Sequence, residues 1–507
     1  MLSSIYVVVV AFFSFLIGLL FYFIHFRWTP SALEKLHRKL PPGPRGLPII
    51  GNLHILGSLP HRTFYNLSKT YGPLMFLKLG NIPTVIISSP ETAELILKTH
   101  DAIFASRPKL KAINYMVDGT KGLAFAPSGP RWRNNRKFCT QELLTAEKIG
   151  YSAGMRKEEI GVLVEKVKGF GGELVVVDLG ERIGDLIGNM TYRMLFGEGN
   201  SERFDLKNIV KEMVRLSGTF NVADYVPFLE PFDIQGLNKQ LKETGKRVQE
   251  IFDTIINEHE QDANNYTHKS KNKDLVDIML SYQDNPNSSY SIDRATMKAI
   301  LSDMIVGAID TSHTWIEWVF AEIIKHPTVM NKLQDELTSI VGLDRMVEED
   351  DLPKLEYLEL VLKETFRLHP VAPLLVPRES IEDVVINECY IPKGSRVMIN
   401  CWALGHDPKI WSDNVEKFIP ERFIGKNINL RGHDFHLLPF GYGRRSCPGI
   451  NLGLITVKLI VAQLVHCFNW DLPDGILPDD LDMTEKFGLA APRAQNLLVI
   501  PTYRLLC

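Results

Sequence analysis

The sequence predicts a mainly α chain with small β-sheets (α+β), one large body behind an N-terminal membrane anchor. Three observations predict it. Helix-type segments recur through most of the 507 residues. Strand-type runs are short and few, and no Lys, Arg, Asp or Glu precedes Arg27. Length alone would allow two or three domains, but no Gly/Ser-rich or Pro-rich linker divides the body.

Ile5 to Phe26 is almost wholly apolar and as a helix would span roughly 33 Å, enough for a hydrocarbon core. Arg27, Lys35, Arg38, Lys39 and Arg45 follow, and the positive-inside rule puts the carboxyl-terminal body in the cytosol. A cleaved signal peptide is the rival, but the charged n-region and a small-x-small cleavage site are missing; a buried core helix is the third reading. Pro41, Pro42, Pro44 and Pro48 stiffen the next stretch into a spacer or a surface loop. The expected organisation is an anchor at 1–27, a basic and proline-rich hinge at 28–50 and the body at 51–507.

Within the body, Leu74 to Ile87 reads as a hairpin turning at Gly80-Asn81, and Glu91 to Thr99 as a helix. Helices dominate from Thr145 to about His259; Gln261 to Asp274 reads as a polar surface loop. Leu275 to Tyr282 is helical, and Asp293 to Lys325 is a long helix with an apolar centre. Val384 to Asn400 holds short strands broken at Pro392-Lys393-Gly394.

With 57 Lys and Arg against 60 Asp and Glu, the net charge of −3 gives no reason to expect nucleic acid. There is no phosphate-binding or dinucleotide-binding glycine motif. The six cysteines (139, 389, 401, 447, 467 and 507) form no C-x-x-C pair and suit a reducing compartment.

One cysteine stands out. Phe440, Gly443, Arg445, Cys447 and Gly449 form F-x-x-G-x-R-x-C-x-G, followed at once by a helix-like run from Ile450 to Val465. A lone loop cysteine is usually an apolar filler. Here glycines allow close backbone approach, and a helix N-terminus just past the sulfur favours a thiolate, which suits an axial position of a haem iron. On this motif the chain resembles the cytochrome P450 monooxygenases, and the other motifs extend the resemblance over almost its whole length. In detail it is similar to plant endoplasmic-reticulum members of the specialised-metabolism clan.

That resemblance implies the cytochrome P450 fold, with haem b (iron protoporphyrin IX) between a long central helix and the cysteine loop and Cys447 as the axial ligand. Gly307-Ala308-Ile309-Asp310-Thr311-Ser312 lies mid-helix, where a hydroxyl can bond the carbonyl four residues back and a carboxylate is costly unless paired or hydrated. It resembles the family's oxygen-activation motif, which assigns proton delivery to Thr311 and Asp310; Ala308 stands where that pattern usually has glycine. Glu364 and Arg367, three apart on a helix from about Leu355, can pair. Alone this is a routine ion pair; the resemblance adds Arg422 as a third member of a structural network holding the cysteine loop. Trp132 and Arg136 share a helical face and match a carboxylate. With Arg378, Arg445 and, more weakly, Arg107, the resemblance assigns them to the haem propionates.

The resemblance places substrate contacts at Ile113, Met116, Ile309, Val371, Leu374, Leu375 and Leu489. Singly these would be core residues; as a wall they suit an apolar substrate. Arg133, Lys137 and Arg444 add charge that is either solubilising or steers an acidic electron donor. The chain has no flavin or nicotinamide segment, so O2 chemistry would draw electrons from NADPH through cytochrome P450 reductase, with cytochrome b5 as a second donor. The expected reaction is hydroxylation or another oxidation of a terpenoid, alkaloid or phenolic. The alternatives are an oxygen-independent haem-thiolate isomerase or dehydratase, against which Thr311 and the intact loop argue, and a non-catalytic haem carrier, which leaves Asp310 and Thr311 unexplained.

Overall fold

The computed structural model describes residues 39–506, apart from 118, 171–174, 198–202, 266–272, 284–289, 291, 413, 433 and 474, together with 14, 15 and 18. Nearly all of the expected anchor, and the hinge up to residue 38, lie outside the described residues.

Twelve helices of seven or more residues make the body among the described residues: α1 (Pro60–Tyr71), α2 (Lys111–Val117), α3 (Pro130–Phe138), α4 (Ala153–Lys168), α5 (Leu179–Phe196), α6 (Leu206–Gly218), α7 (Leu237–Asn265), α8 (Leu275–Tyr282), α9 (Arg294–Lys325), α10 (Pro327–Val341), α11 (Glu356–Leu368) and α12 (Ile450–Cys467). Local chemistry sets several starts. Asp293 caps α9 by accepting from Thr296 N at 2.7 Å, and Asp274 with Asp277 forms a capping box on α8. α7 runs to Asn265 and so takes in the start of the stretch expected to be loop.

The sheets are small. β1 (Leu74–Leu79) and β2 (Ile82–Ile87) form the expected hairpin; β7 (Arg396–Ile399) adds parallel to β2, and β4 (Arg378–Glu379) antiparallel to β7. Gly80 takes a left-handed φ of 58° at the hairpin turn, and a Cβ there would meet Tyr225 O at 2.2 Å. β5 (Val384–Ile386) pairs with β6 (Cys389–Ile391), while β3 (Val177–Asp178), β9 (Leu498–Tyr503) and β8 (Phe468–Asp471) form a three-stranded sheet.

The hydrophobic core is split along α9. Met297, Ile300, Leu301 and Ile305 belong to a cluster with α2, α3 and α5 to α8. Trp315, Ile316, Trp318, Val319, Phe320, Ala321, Ile323 and Ile324 belong to a second cluster with α4, α10, α11 and α12. Ile309 is half-buried against both. Among the described residues α12 alone is long and apolar enough to cross a membrane by length and composition, with a mean hydropathy of 1.7. It is mostly buried within the second cluster and is a core helix. Cys139, Cys389, Cys401 and Cys447 are free thiols.

Candidate active site

The cysteine loop is closed by its own backbone. Cys447 N donates to Phe440 O at 2.8 Å. Gly443 has φ 73°, and a Cβ there would sit 2.5 Å from Leu97 O and 2.6 Å from Asp101 Oδ1, so only glycine fits. Phe440 meets Trp315 edge-on at 6.0 Å between centroids, joining the loop to α9. Burial pushes the Cys447 thiol up in pKa, while the Gly449 N–H and the Arg136 guanidinium pull it down. Gly449 is the N-cap of α12. Arg136 on α3 donates to Ser446 O and, at 3.1 Å, to Ser446 Oγ, so α3 is tied to the residue before the sulfur.

Four guanidinium groups crowd this region. Arg445 Nε and Nη2 donate at 2.6 Å to Ala105 O and Ala126 O, and Nη1 at 3.2 Å to Leu123 O. Arg378 Nη1 pairs with Asp101 Oδ1 at 2.6 Å, and Nη2 donates to Tyr442 O at 2.6 Å. Arg107 Nε donates to Ala124 O at 3.0 Å, and Nη1 to Pro377 O at 2.9 Å and to Val376 O. Burial first, and then Arg378 and Arg136, lowers Arg445 to about 9. Burial, then Arg378, Arg445 and Arg136, holds Arg107 well below its ordinary value. The Arg445 guanidinium lies 3.9 Å from the Trp132 ring centre. Trp132 Nε1 is buried without a partner. An orphaned donor beside crowded like charges is chemistry that an added anion would satisfy.

The central stretch of α9 differs from its ends. Gly307 and Thr311 are exposed, and residues 306 and 308–310 half-exposed, between buried halves of the same helix. Thr311 Oγ1 donates to Gly307 O at 2.6 Å, the bond expected for a mid-helix threonine. Burial lifts the Asp310 carboxyl to about 6, opposed by the N–H of Ala490.

Glu364, Arg367 and Arg422 meet in one network, which backbone groups complete. Arg367 Nε and Nη2 each meet Glu364 at 2.8 Å; Nη1 donates to Gly405 O and Val415 O at 2.7 Å, and Nη2 also to Lys417 O at 3.1 Å. Arg422 Nε meets Glu364 Oε1 at 2.7 Å, and the same oxygen accepts Ile419 N at 2.9 Å.

The aliphatic residues divide. Met116, Val371 and Leu374 are buried in hydrophobic clusters, each in a different one. Ile113, Ile309, Leu375 and Leu489 are half-buried. Leu375 holds φ 49°, a left-handed backbone that costs a leucine on the order of 1 kcal/mol or more. On the outer side, Trp132, Arg133, Arg136, Lys137, Gly443 and Arg444 line an open groove of about 330 Å³. Asp101 and Asp303 went unnoticed in the sequence. Asp101 accepts from Arg378 and from Arg444 N, and Asp303 from the 123–124 backbone. Neither sits in a motif, and only long-range contact reveals them.

A family model for cytochrome P450 matches residues 41–498. The chain belongs to that family. It is 57% identical over 476 residues to cytochrome P450 CYP736A12 of Panax ginseng, covering 93% of this chain and 95% of that protein. It is 43% identical to cytochrome P450 71A1 of Persea americana over 446 residues, 87% and 88% of the two chains. A zebrafish cytochrome P450 solved with progesterone superposes with a TM-score of 0.76 at 27% identity, over 88% of this chain and 99% of that one. Another, with abiraterone, gives 0.73 at 26% identity, over 88% and 100%. The fold is therefore the P450 fold and the protein a P450 monooxygenase. Its cofactor is haem with a cysteine thiolate ligand, working with O2 and electrons from a reductase. The residues present fit that group: a lone loop thiol, an unpartnered buried indole N–H and guanidinium donors still available to carboxylates.

Proposed function

We propose that this P450 hydroxylates, or otherwise oxidises, an apolar specialised metabolite such as a terpenoid, alkaloid or phenolic, taking electrons from NADPH–cytochrome P450 reductase. The opening of α9 at Gly307 and Thr311 carries the reading. Its flank is aliphatic (Ile309, with Ile113, Leu375 and Leu489 from other segments) and offers few polar anchors, so it favours an apolar substrate. Cys447 would hold the haem iron through its thiolate, and Trp132, Arg136, Arg378 and Arg445, with Arg107, would hold the propionates. Phe440 packs the loop, and Glu364, Arg367 and Arg422 fix the scaffold. Arg378 already serves Asp101 and Tyr442 O, so it takes part with its remaining donors.

The haem supplies dioxygen reduction and insertion of one oxygen atom. The chain supplies position and protons. The Thr311 hydroxyl, pinned to Gly307 O, presents its lone pairs on the open face of α9. Asp310, with its acidity moved toward neutrality, passes protons to that face.

The chain divides into an anchor at 1–27, a hinge at 28–50 and a catalytic domain at 51–507, with a single pass through the endoplasmic-reticulum membrane and a cytosolic body. An apolar corner supports membrane contact. Leu47, Ile49, Phe228, Phe232 and Ile234 are exposed, and the Gly80-Asn81 turn bonds Ile50 O and Tyr225 O, drawing their two segments together. The basic groove at Arg133, Lys137 and Arg444 is the docking face for the reductase.

The test is a binding-spectrum screen of plant metabolites, then turnover with reductase and mass analysis of products. A substrate should shift the Soret band and yield a product heavier by one oxygen atom. Thr311→Ala should keep binding and lower product formed per NADPH several-fold. Unchanged coupling, or conversion without reductase, would sink the reading.

A further inference from the structure

Asp303 lies eight residues before Thr311 on α9, roughly 12 Å along the helix. Its Oδ2 accepts the N–H of Ala124 at 3.0 Å and the N–H of Leu123. The carbonyls of the same two residues accept from the guanidinium cluster. Leu123 O takes Arg445 Nη1 at 3.2 Å, and Ala124 O takes Arg107 Nε at 3.0 Å. From α3, Asn135 Nδ2 donates to Lys121 O at 2.7 Å and Gly122 O at 3.3 Å. A Cβ on Gly122 would lie 2.2 Å from Asp303 Oδ2, so the backbone rests directly on the carboxylate.

Asp303 is half-buried, and a carboxylate drawn out of water is costly unless bonded. Burial raises Asp303 to about 6, opposed first by the Leu123 and Ala124 N–H groups and then by Arg445. Among the described residues it has no cation within ion-pair distance. Its bonding is to backbone, and that backbone reaches the arginines.

We infer that Asp303 is a positioning residue for the haem-facing arginines: it pins residues 122–124 so that their carbonyls aim Arg445 and Arg107 at the propionates. This rests on the assignment of those arginines to the propionates. The device is geometric. One oxygen takes both N–H groups, so an asparagine whose carbonyl oxygen replaces Oδ2 keeps both bonds and loses only the charge.

The experiment measures haem transfer from the holoprotein to an excess of a haem-scavenging apoprotein, with far-UV circular dichroism to report the fold. Asp303→Ala should release haem about tenfold faster, the scale of one charge-assisted hydrogen bond lost. Asp303→Asn should stay within about threefold of the parent. Gly122→Ala should resemble Asp303→Ala, and should add little in the Asp303→Ala background, where only the 3.3 Å contact with Ala299 O remains. Arg445→Ala should also release haem quickly. Fast release from Arg445→Ala with parental release from Asp303→Ala overturns the inference alone. Parental release from Arg445→Ala overturns the propionate assignment and the inference with it. Asp303→Asn as fast as Asp303→Ala replaces geometry with charge and also sinks the inference. Should Asp303→Ala give no soluble holoprotein, Asp303→Asn and Gly122→Ala decide the matter by the same criteria.

Discussion

The guanidinium cluster around Glu364 and the one around Trp132 use the same chemistry and are finished to different degrees. Arg367 has all five of its N–H donors engaged, by Glu364 and three backbone carbonyls. It has no exposed surface, and neither has Glu364. The Trp132 cluster packs Arg107, Arg136, Arg378 and Arg445, of which Arg378 alone pairs with a carboxylate, Asp101. It leaves the indole N–H unpartnered and presses Arg107 and Arg445 toward lower pKa, by burial first and then by the neighbouring guanidinium groups. A closed set of bonds makes a scaffold. An open set of buried donors makes a site, because something must still satisfy them.

Breaking the closed cluster should have the largest effect. Glu364→Ala leaves two buried guanidinium groups without their carboxylate and should cost about 3–5 kcal/mol of stability, read as a lower urea midpoint with or without haem. Trp132→Phe, in the open cluster, removes a donor with no protein partner. The haem-free polypeptide should lose about 1–2 kcal/mol, the cost of a smaller ring at a buried position, while haem release accelerates several-fold. An equal loss of stability in the two variants would erase the contrast.

Asp310 gives a pH-dependent version. Its pKa is raised from 3.8 to about 6, so the folded state holds its proton more tightly than the unfolded chain. Ionisation therefore removes stability as pH rises from about 4 through 6. Asp310→Asn should be more stable than the parent above pH 6, with the difference vanishing below about pH 4. Denaturant titrations across that range check both the sign and the window. The smallest effect belongs to the rim. Lys137→Glu with Arg444→Glu should slow reduction by reductase several-fold at low salt, and the gap should close toward about 1 M salt.

Much of the architecture was legible locally. The α8 and α9 starts follow from Asp274 and Asp293 as caps ahead of apolar runs, and the β1–β2 hairpin from Gly80-Asn81 between an apolar run and a β-branched one. The E-x-x-R pair was readable because three residues on a helix share a face. The parallel pairing of β2 with β7 was not, since nothing in either strand names a partner over 300 residues away. α7 overran its expected end because polar composition marks exposure and not helix termination.

By itself, the sequence picked out the candidates for the chemistry: one thiol, a hydroxyl and a carboxylate on α9, and a set of arginines. These are short motifs whose meaning lies in residue type and spacing. Tertiary structure alone decided which donors are satisfied and which remain open. It set Arg378 on Asp101, Arg445 and Arg107 on carbonyls held by Asp303, and left Trp132 Nε1 unpaired. Hydrogen-bond satisfaction is a property of the atoms that burial brings together, and those atoms come from segments hundreds of residues apart.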